Sequence, residues 1–264
     1  MMVSRFRRAW AVETARLVRS GFAWAVTVTP ALMSGAVLLA RPLARDGRGD
    51  YDFIAAAMTA GVCTPGFVLL LAWSAVWTAS DLADGTARGL LVRPIRRVDY
   101  LLAKYAGLAA LGTVMSGLAL GVSWLLLWLL GDTTGVAYGG EVLFTSDRMV
   151  AGGAQAFAAT LFALWAGSAG AVLAGMATRH PGPAAVVTLG AWLVAELVKY
   201  PLGIESWVFT TYLERSWQGF GDLCRGYEAD MAGIVAEAAA AAFPVIIGCL
   251  VASALLFRRR DLTP

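Results

Sequence analysis

Six apolar stretches, each long enough to cross a bilayer, constrain this chain more than any other feature. About 20 consecutive apolar residues carry a helix through the hydrocarbon. Such runs lie at about 22–40, 54–79, 101–130, 149–177, 184–203 and 231–257. Backbone polar groups inside lipid must be satisfied within the segment, which leaves helices as the form these runs take. Hydrophobic residues make up 59% of the 264 residues and charged ones only 15%. A soluble chain carries roughly 25% charged residues, so this one cannot cover a water-facing surface. The expected fold class is an all-α integral membrane protein, a single transmembrane domain over 1–264 with six transmembrane helices. No small-residue cleavage site closely follows the first run, so it reads as a retained span.

The positions of the charges give orientation. Residues 1–21 form a candidate interfacial amphipathic helix, with Val3, Phe6, Trp10 and Leu17 on one face. Arg5, Arg7, Arg8, Arg16 and Arg19 point largely elsewhere, which suits a helix lying among lipid headgroups. Basic residues concentrate in that helix, in 80–100 together with Lys104, and in Arg258–Arg259–Arg260. Acidic residues dominate 131–148 and 204–230. By the positive-inside rule both termini and the 80–100 loop are cytoplasmic. Residues 204–230 then form an outer aromatic re-entrant or interfacial segment.

Several chemistries are excluded or given a plain reading. A net charge of +3 is too small to indicate a nucleic-acid partner. Cys63, Cys224 and Cys249 form no CxxC pair, so they read as small buried hydrophobes, with no metal site and no disulfide framework. His180 is the only histidine and sits in a short turn beside Pro181. Glu196 and Lys199 are expected to pair at i,i+3 near the outer end of the fifth span. Glu237 has no local partner in the sequence and is a candidate for the translocation path, with Glu196 the lesser one, because ionisable groups at membrane depth are costly. The row Gly167, Ser168, Gly170, Ala171, Ala174 and Gly175 in the fourth span reads as a helix-packing face.

The stretch Asp81–Tyr105, DLADGTARGLLVRPIRRVDYLLAKY, carries the most information. Gly85 permits a sharp turn, and Thr86 is a plausible helix cap. Leu90 and Leu91 share one side of a short helix that Pro94 ends. Such a helix, held at both ends by spans, can plug into a partner's groove and carry force.

This segment resembles the loop between the second and third spans of ABC-2 type transporter permeases, the membrane subunits of ATP-driven exporters. The matching residues are Asp81 and Asp84, Gly85-Thr86, Leu90-Leu91, Pro94, Arg97 and Lys104. Two positions depart from the family pattern: Asp stands where Glu is usual, and Ala103 where Gly is usual. The length, the six spans, the amino-terminal amphipathic helix and the aromatic stretch 204–230 resemble the same family's layout, an ABC-2 (type V exporter-like) architecture. The resemblance implies a permease subunit that forms the translocation path for a small amphiphilic or drug-like substrate. It implies Asp84, Gly85, Thr86, Arg88, Leu90, Leu91, Arg93, Pro94, Arg96, Arg97 and Lys104 as the ATPase-coupling residues. It further implies a second permease subunit, identical or related, and two copies of a separate ABC ATPase in a bacterial cytoplasmic (inner) membrane.

The chain contains no G-x-x-x-x-G-K-[ST] phosphate loop. ATP and Mg are therefore expected on the partner, with no cofactor and no catalytic residue here. Two enzyme readings fail. Asp84–Arg88 is one residue short of the start of the CDP-alcohol phosphotransferase motif and lacks the aspartates that should follow. A serine protease within the membrane would need a base near Ser168, and His180 lies at the surface. The remaining alternative is an ion-coupled secondary transporter or channel without an ATPase, which calls for several ionisable residues at mid-bilayer.

Overall fold

A computed structural model describes residues 2–40, 50–86, 96–131, 133, 135–138 and 141–258. Helix α1 (Met2–Arg19) precedes α2 (Gly21–Ala40). Helix α3 (Asp52–Met58), a π-helical segment (Thr59–Gly66) and α4 (Phe67–Ala83) follow as one continuous crossing. Then come α5 (Arg97–Leu130), strands β1 (Val136–Tyr138) and β2 (Glu141–Phe144), and α6 (Ser146–Thr178). Helix α7 (Pro181–Lys199), a 3-10 turn (Glu205–Trp207), α8 (Thr211–Cys224) and α9 (Met231–Arg258) complete the chain. Six of these units are long and apolar enough to cross a membrane, which is an all-α membrane architecture. The exception to all-helix is the small antiparallel β1–β2 hairpin. It falls in 131–148, one of the two acidic stretches.

The spans match expectation at their centres and differ at their ends. Helix α5 begins at Arg97 and α4 continues to Ala83, so the 80–100 loop is shorter than expected. Asp81 thus belongs to the last turn of α4. Gly85, at φ 70°, takes the left-handed conformation just past the Asp84 C-cap, the position that glycine favours because it has no Cβ. The fifth crossing is shifted from the expected 184–203, starting at Pro181 and ending at Lys199. Helix α7 stops at Lys199, where Pro201 cannot continue it, and Gly203 turns the chain at φ 63°.

Helix α6 is the hub, packed on α4, α5, α7, α8 and α9. Glycines set its approach to α4. A Cβ on Gly167 would meet the Phe67 ring at 2.5 Å, and one on Gly175 would meet the Ala75 carbonyl at 2.8 Å. The packing role read for the small-residue row therefore holds at those two positions. Gly170 differs, because nothing lies within 4 Å of its would-be Cβ.

Helix α8 is amphipathic and inserts its apolar face into the bundle. Tyr212, Leu213, Trp217, Phe220 and Leu223 are buried. Trp217 Nε1 donates to Thr160 Oγ1 at 2.9 Å, and the Cys63 thiol, in the π segment, donates to the Leu213 carbonyl at 2.9 Å. Leu223 meanwhile abuts Gly152, near the start of α6. Helix α8 thus packs on the amino-terminal part of α6. After α7 the chain turns through the 3-10 segment and α8 packs back against the bundle.

Candidate functional site

Residues far apart in sequence converge where α1, the end of α4 and the start of α5 meet. Helices α1 and α5 can approach because Gly107 lacks a side chain. A Cβ there would lie 3.1 Å from Leu17 and 3.2 Å from the Glu13 side chain. One turn before Gly107 is Lys104, whose side chain is completely buried. Its Nζ lies 3.0 Å from Glu13 Oε1 and 2.6 Å from Asp81 Oδ2. Arg16 forks onto Asp81, with Nη2 to Oδ1 at 2.6 Å and Nη1 to Oδ2 at 3.1 Å. Tyr100 donates its hydroxyl to Asp81 Oδ2 at 2.8 Å, and Trp77 Nε1 donates to Glu13 Oε1 at 2.6 Å. The rings enclose the cations as well: Arg16 stands 4.9 Å and Lys104 5.3 Å from the Trp77 centroid.

Two acids face two bases, so the cluster is neutral when all four are ionised. Removing ions from water costs several kcal/mol each unless geometry and additional hydrogen bonds compensate. Here Asp81 accepts from three partners and Glu13 from three. The Arg16 guanidinium holds its proton more tightly than usual, through its hydrogen bonds to Asp81, and partial burial opposes this. What the arrangement does is mechanical. It clamps α1 to the two helix ends that flank residues 87–95 in the chain.

A second tie lies nearby. Arg97 Nη1 donates to the Phe257 carbonyl at 2.9 Å and to the Arg258 carbonyl at 3.3 Å. These carbonyls lie in the last described turn of α9. A cation there also suits the helix dipole. Helix α9 is thereby fastened to the start of α5.

The coupling residues named from the sequence divide into three groups. Arg88, Leu90, Leu91, Arg93 and Pro94 lie outside the described residues. Asp84, Gly85 and Thr86 follow the end of α4, and Arg96 is the exposed residue before α5. Arg97 and Lys104 are engaged within the chain, and Lys104 has no surface with which to meet a partner directly. Of the two translocation-path candidates, Glu196 pairs with Lys199 at 2.6 Å, as expected. Glu237 has no partner within its own helix, as expected, but it finds distant ones. It accepts from Tyr212 at 3.3 Å and pairs with Arg215 at 2.9 Å, with half its side chain exposed. Both partners come from α8, which the sequence alone does not place beside α9.

Glu13, Trp77 and Tyr100 of this cluster are not among the candidates the sequence suggested. A signal was present. Glu13 is the single acid in an arginine-rich helix, and Trp77/Asp81 and Tyr100/Lys104 are each i,i+4 pairs. Among the described residues no cluster of His, Cys, Asp or Glu is suited to a metal ion. No protein-family model matches the chain, and no curated protein matches it significantly.

Proposed function

We propose that this chain is the permease subunit of an ATP-driven exporter of the ABC-2 type. Its termini and its 87–95 loop would lie in the cytoplasm, and the ATP and Mg would be bound by a separate ATPase. The observation that carries the reading is the clamp. A loop suspended from two ends that are locked to α1 by buried ion pairs transmits a push into the spans instead of absorbing it. The loop is also the segment whose residues resemble the family's coupling element. Lys104 would then act through Glu13 and Asp81 as part of the lever, while Arg88, Leu90, Leu91 and Arg93 would form the contact itself.

The exposure of α7 fits a second permease subunit. Val186, Leu193, Val194 and Leu197 all face outward. Only 11% of its apolar window is buried within the chain, against 61% for the Asp52–Ala83 crossing. A like or related subunit and lipid would share that face. The alternative of an ion-coupled transporter gains little from the buried charges. Among the described residues Glu13, Asp81 and Lys104 are held together with Arg16 where α1 joins the bundle, Lys199 pairs with Glu196 at the end of α7, and the buried Asp50 and Asp99 stand beside the starts of α3 and α5, so none of them is at mid-span.

The test is co-expression with an ABC ATPase encoded beside this gene. Co-purification of the two, with hydrolysis that responds to added amphiphiles, is the expected result. Purification as a lone oligomer that transports without ATP would end the exporter reading.

A further inference from the structure

Helix α1 packs along α5, and the chain then turns into α2 at Ser20. The corner between the three helices is a groove of about 180 Å³. Thr14 and Val18 of α1, Trp24 of α2, and Gly107, Ala110 and Val114 of α5 are among the residues that line it. From Gly107 to Val114 its wall follows α5 for about 10 Å, away from the charge clamp at Lys104. Val18 and Val114 are 63% and 58% exposed, so the groove opens sideways, where the crossings α2 and α5 face lipid. Drug-sized ligands fill about 300–1,000 Å³. This groove is smaller and suits a length of one hydrocarbon chain.

The lining carries no charge, and its donors are already engaged. Thr14 donates its hydroxyl to the Trp10 carbonyl at 2.9 Å, and Thr27 donates to the Ala23 carbonyl at 2.8 Å. Trp24 Nε1 donates to the Val18 carbonyl at 2.9 Å. A polar group placed in the groove would lose water and gain no hydrogen bond, which is costly. The occupant is therefore apolar inside the groove, and its polar head lies outside.

The charges of α1 select the head. Glu13 and Arg16 are taken up by the clamp. Arg7, Arg8 and Arg19 are exposed, and none has an ion-pair partner among the described residues. At 3.6 residues per turn, Arg7 shares a stripe with Thr14 and Val18, the groove side of α1. Arg8 and Arg19 fall on another stripe, about 100° around the helix. We infer that the groove holds one acyl chain of an anionic phospholipid, whose phosphate pairs with Arg7. A zwitterionic lipid brings its own ammonium to the same stripe and forfeits the gain. The inference rests on α1 lying in the membrane interface and not on the exporter reading.

The test uses the full chain in phosphatidylcholine nanodiscs that carry a small fraction of one photoreactive lipid. That lipid is either phosphatidylglycerol or phosphatidylcholine, each with the same diazirine-bearing chain, and adducts are mapped by mass spectrometry. Phosphatidylglycerol adducts are expected within 14–27 and 107–114, about fivefold above those of phosphatidylcholine, the worth of one basic residue near an anionic lipid. Arg7→Gln should bring the two lipids level, and Arg7→Lys should keep the preference. Arg8→Gln, on the other stripe, should leave it intact. Ala110→Leu fills the groove and should remove the adducts of both lipids; should it not assemble, the Arg7 variants decide alone. Equal labelling by both lipids in the wild type would mean that any bilayer chain fills the groove. Equal losses with Arg7→Gln and Arg8→Gln would mean diffuse attraction to a basic helix. Either result, or adducts confined to other segments, overturns the inference.

Discussion

Lys104 offers three N–H donors and has Glu13 and Asp81 against it, with no water-facing surface. Removing one member of a buried ion pair strands the other, at a cost of about 3–5 kcal/mol. Lys104→Met should therefore lower the melting temperature of the detergent-solubilised protein far more than any substitution on the exposed side of α1. The double variant Glu13→Gln with Lys104→Met should cost less than the two single variants summed, because each single change strands a charge that the double removes. Thermal unfolding of the single and double variants reads both effects, and strict additivity would mean that Glu13 and Lys104 are not directly coupled. Cys224 gives a pH prediction outside the spans. Burial pushes its thiol well above the usual range; the Asp52 charge adds to this and Arg225 opposes it. A raised pKa means less thiolate at any given pH, so alkylation of Cys224 should be slow at pH 8 and should rise to the rate of a free cysteine only on denaturation. Rapid modification of the folded protein at pH 8 would show that α8 does not bury that thiol.

At the scale of elements, Arg97 joins two helices whose contact is invisible in sequence, since 160 positions separate it from Phe257. A charged hydrogen bond of this kind is worth about 1.5–3 kcal/mol. Arg97→Glu should leave the protein in the membrane, loosen the end of α9 against α5, and abolish the response of ATP hydrolysis to substrate. Arg97→Lys should keep most of both. Normal export by the glutamate variant would show that this junction transmits nothing. The spans themselves are legible because hydropathy over 20 residues is a strong local signal and lipid permits few alternatives. What remains illegible depends on a second element. The charge clamp needs α1, α4 and α5 to be placed together, with partners up to 91 positions apart. The π segment at Thr59–Gly66 reflects Pro65 and close packing on α2, where a Cβ on Gly61 would come within 2.6 Å of the Pro30 carbonyl. Helix α2 runs through Pro30 without a break. The local pair Glu196–Lys199 was readable, whereas Glu237–Arg215 was not, because only the second depends on how α8 returns.

Across the whole molecule, the long helices settle how far the bundle must reach. At about 1.5 Å per residue, the 33 residues of α6 and the 34 of α5 extend roughly 50 Å, well beyond a hydrocarbon core of about 30 Å. Much of that excess is expected at the end carrying the hairpin and α8, where acidic residues gather, and the clamp and Arg258 mark the opposite end. The positive-inside argument puts the clamp end in the cytoplasm. Single cysteines test this directly, because Trp207 is 80% exposed and His180 is exposed at the turn joining α6 to α7, while the native Cys63 and Cys224 are buried. In intact cells a membrane-impermeant maleimide should label Trp207→Cys, and it should reach His180→Cys only after permeabilisation. The reverse pattern would put 87–95 on the side without ATP. A lever there could not be driven by a nucleotide-hydrolysing partner, whatever the clamp holds rigid, so one labelling experiment decides whether the charge cluster is the root of a coupling device or only a fastening for α1.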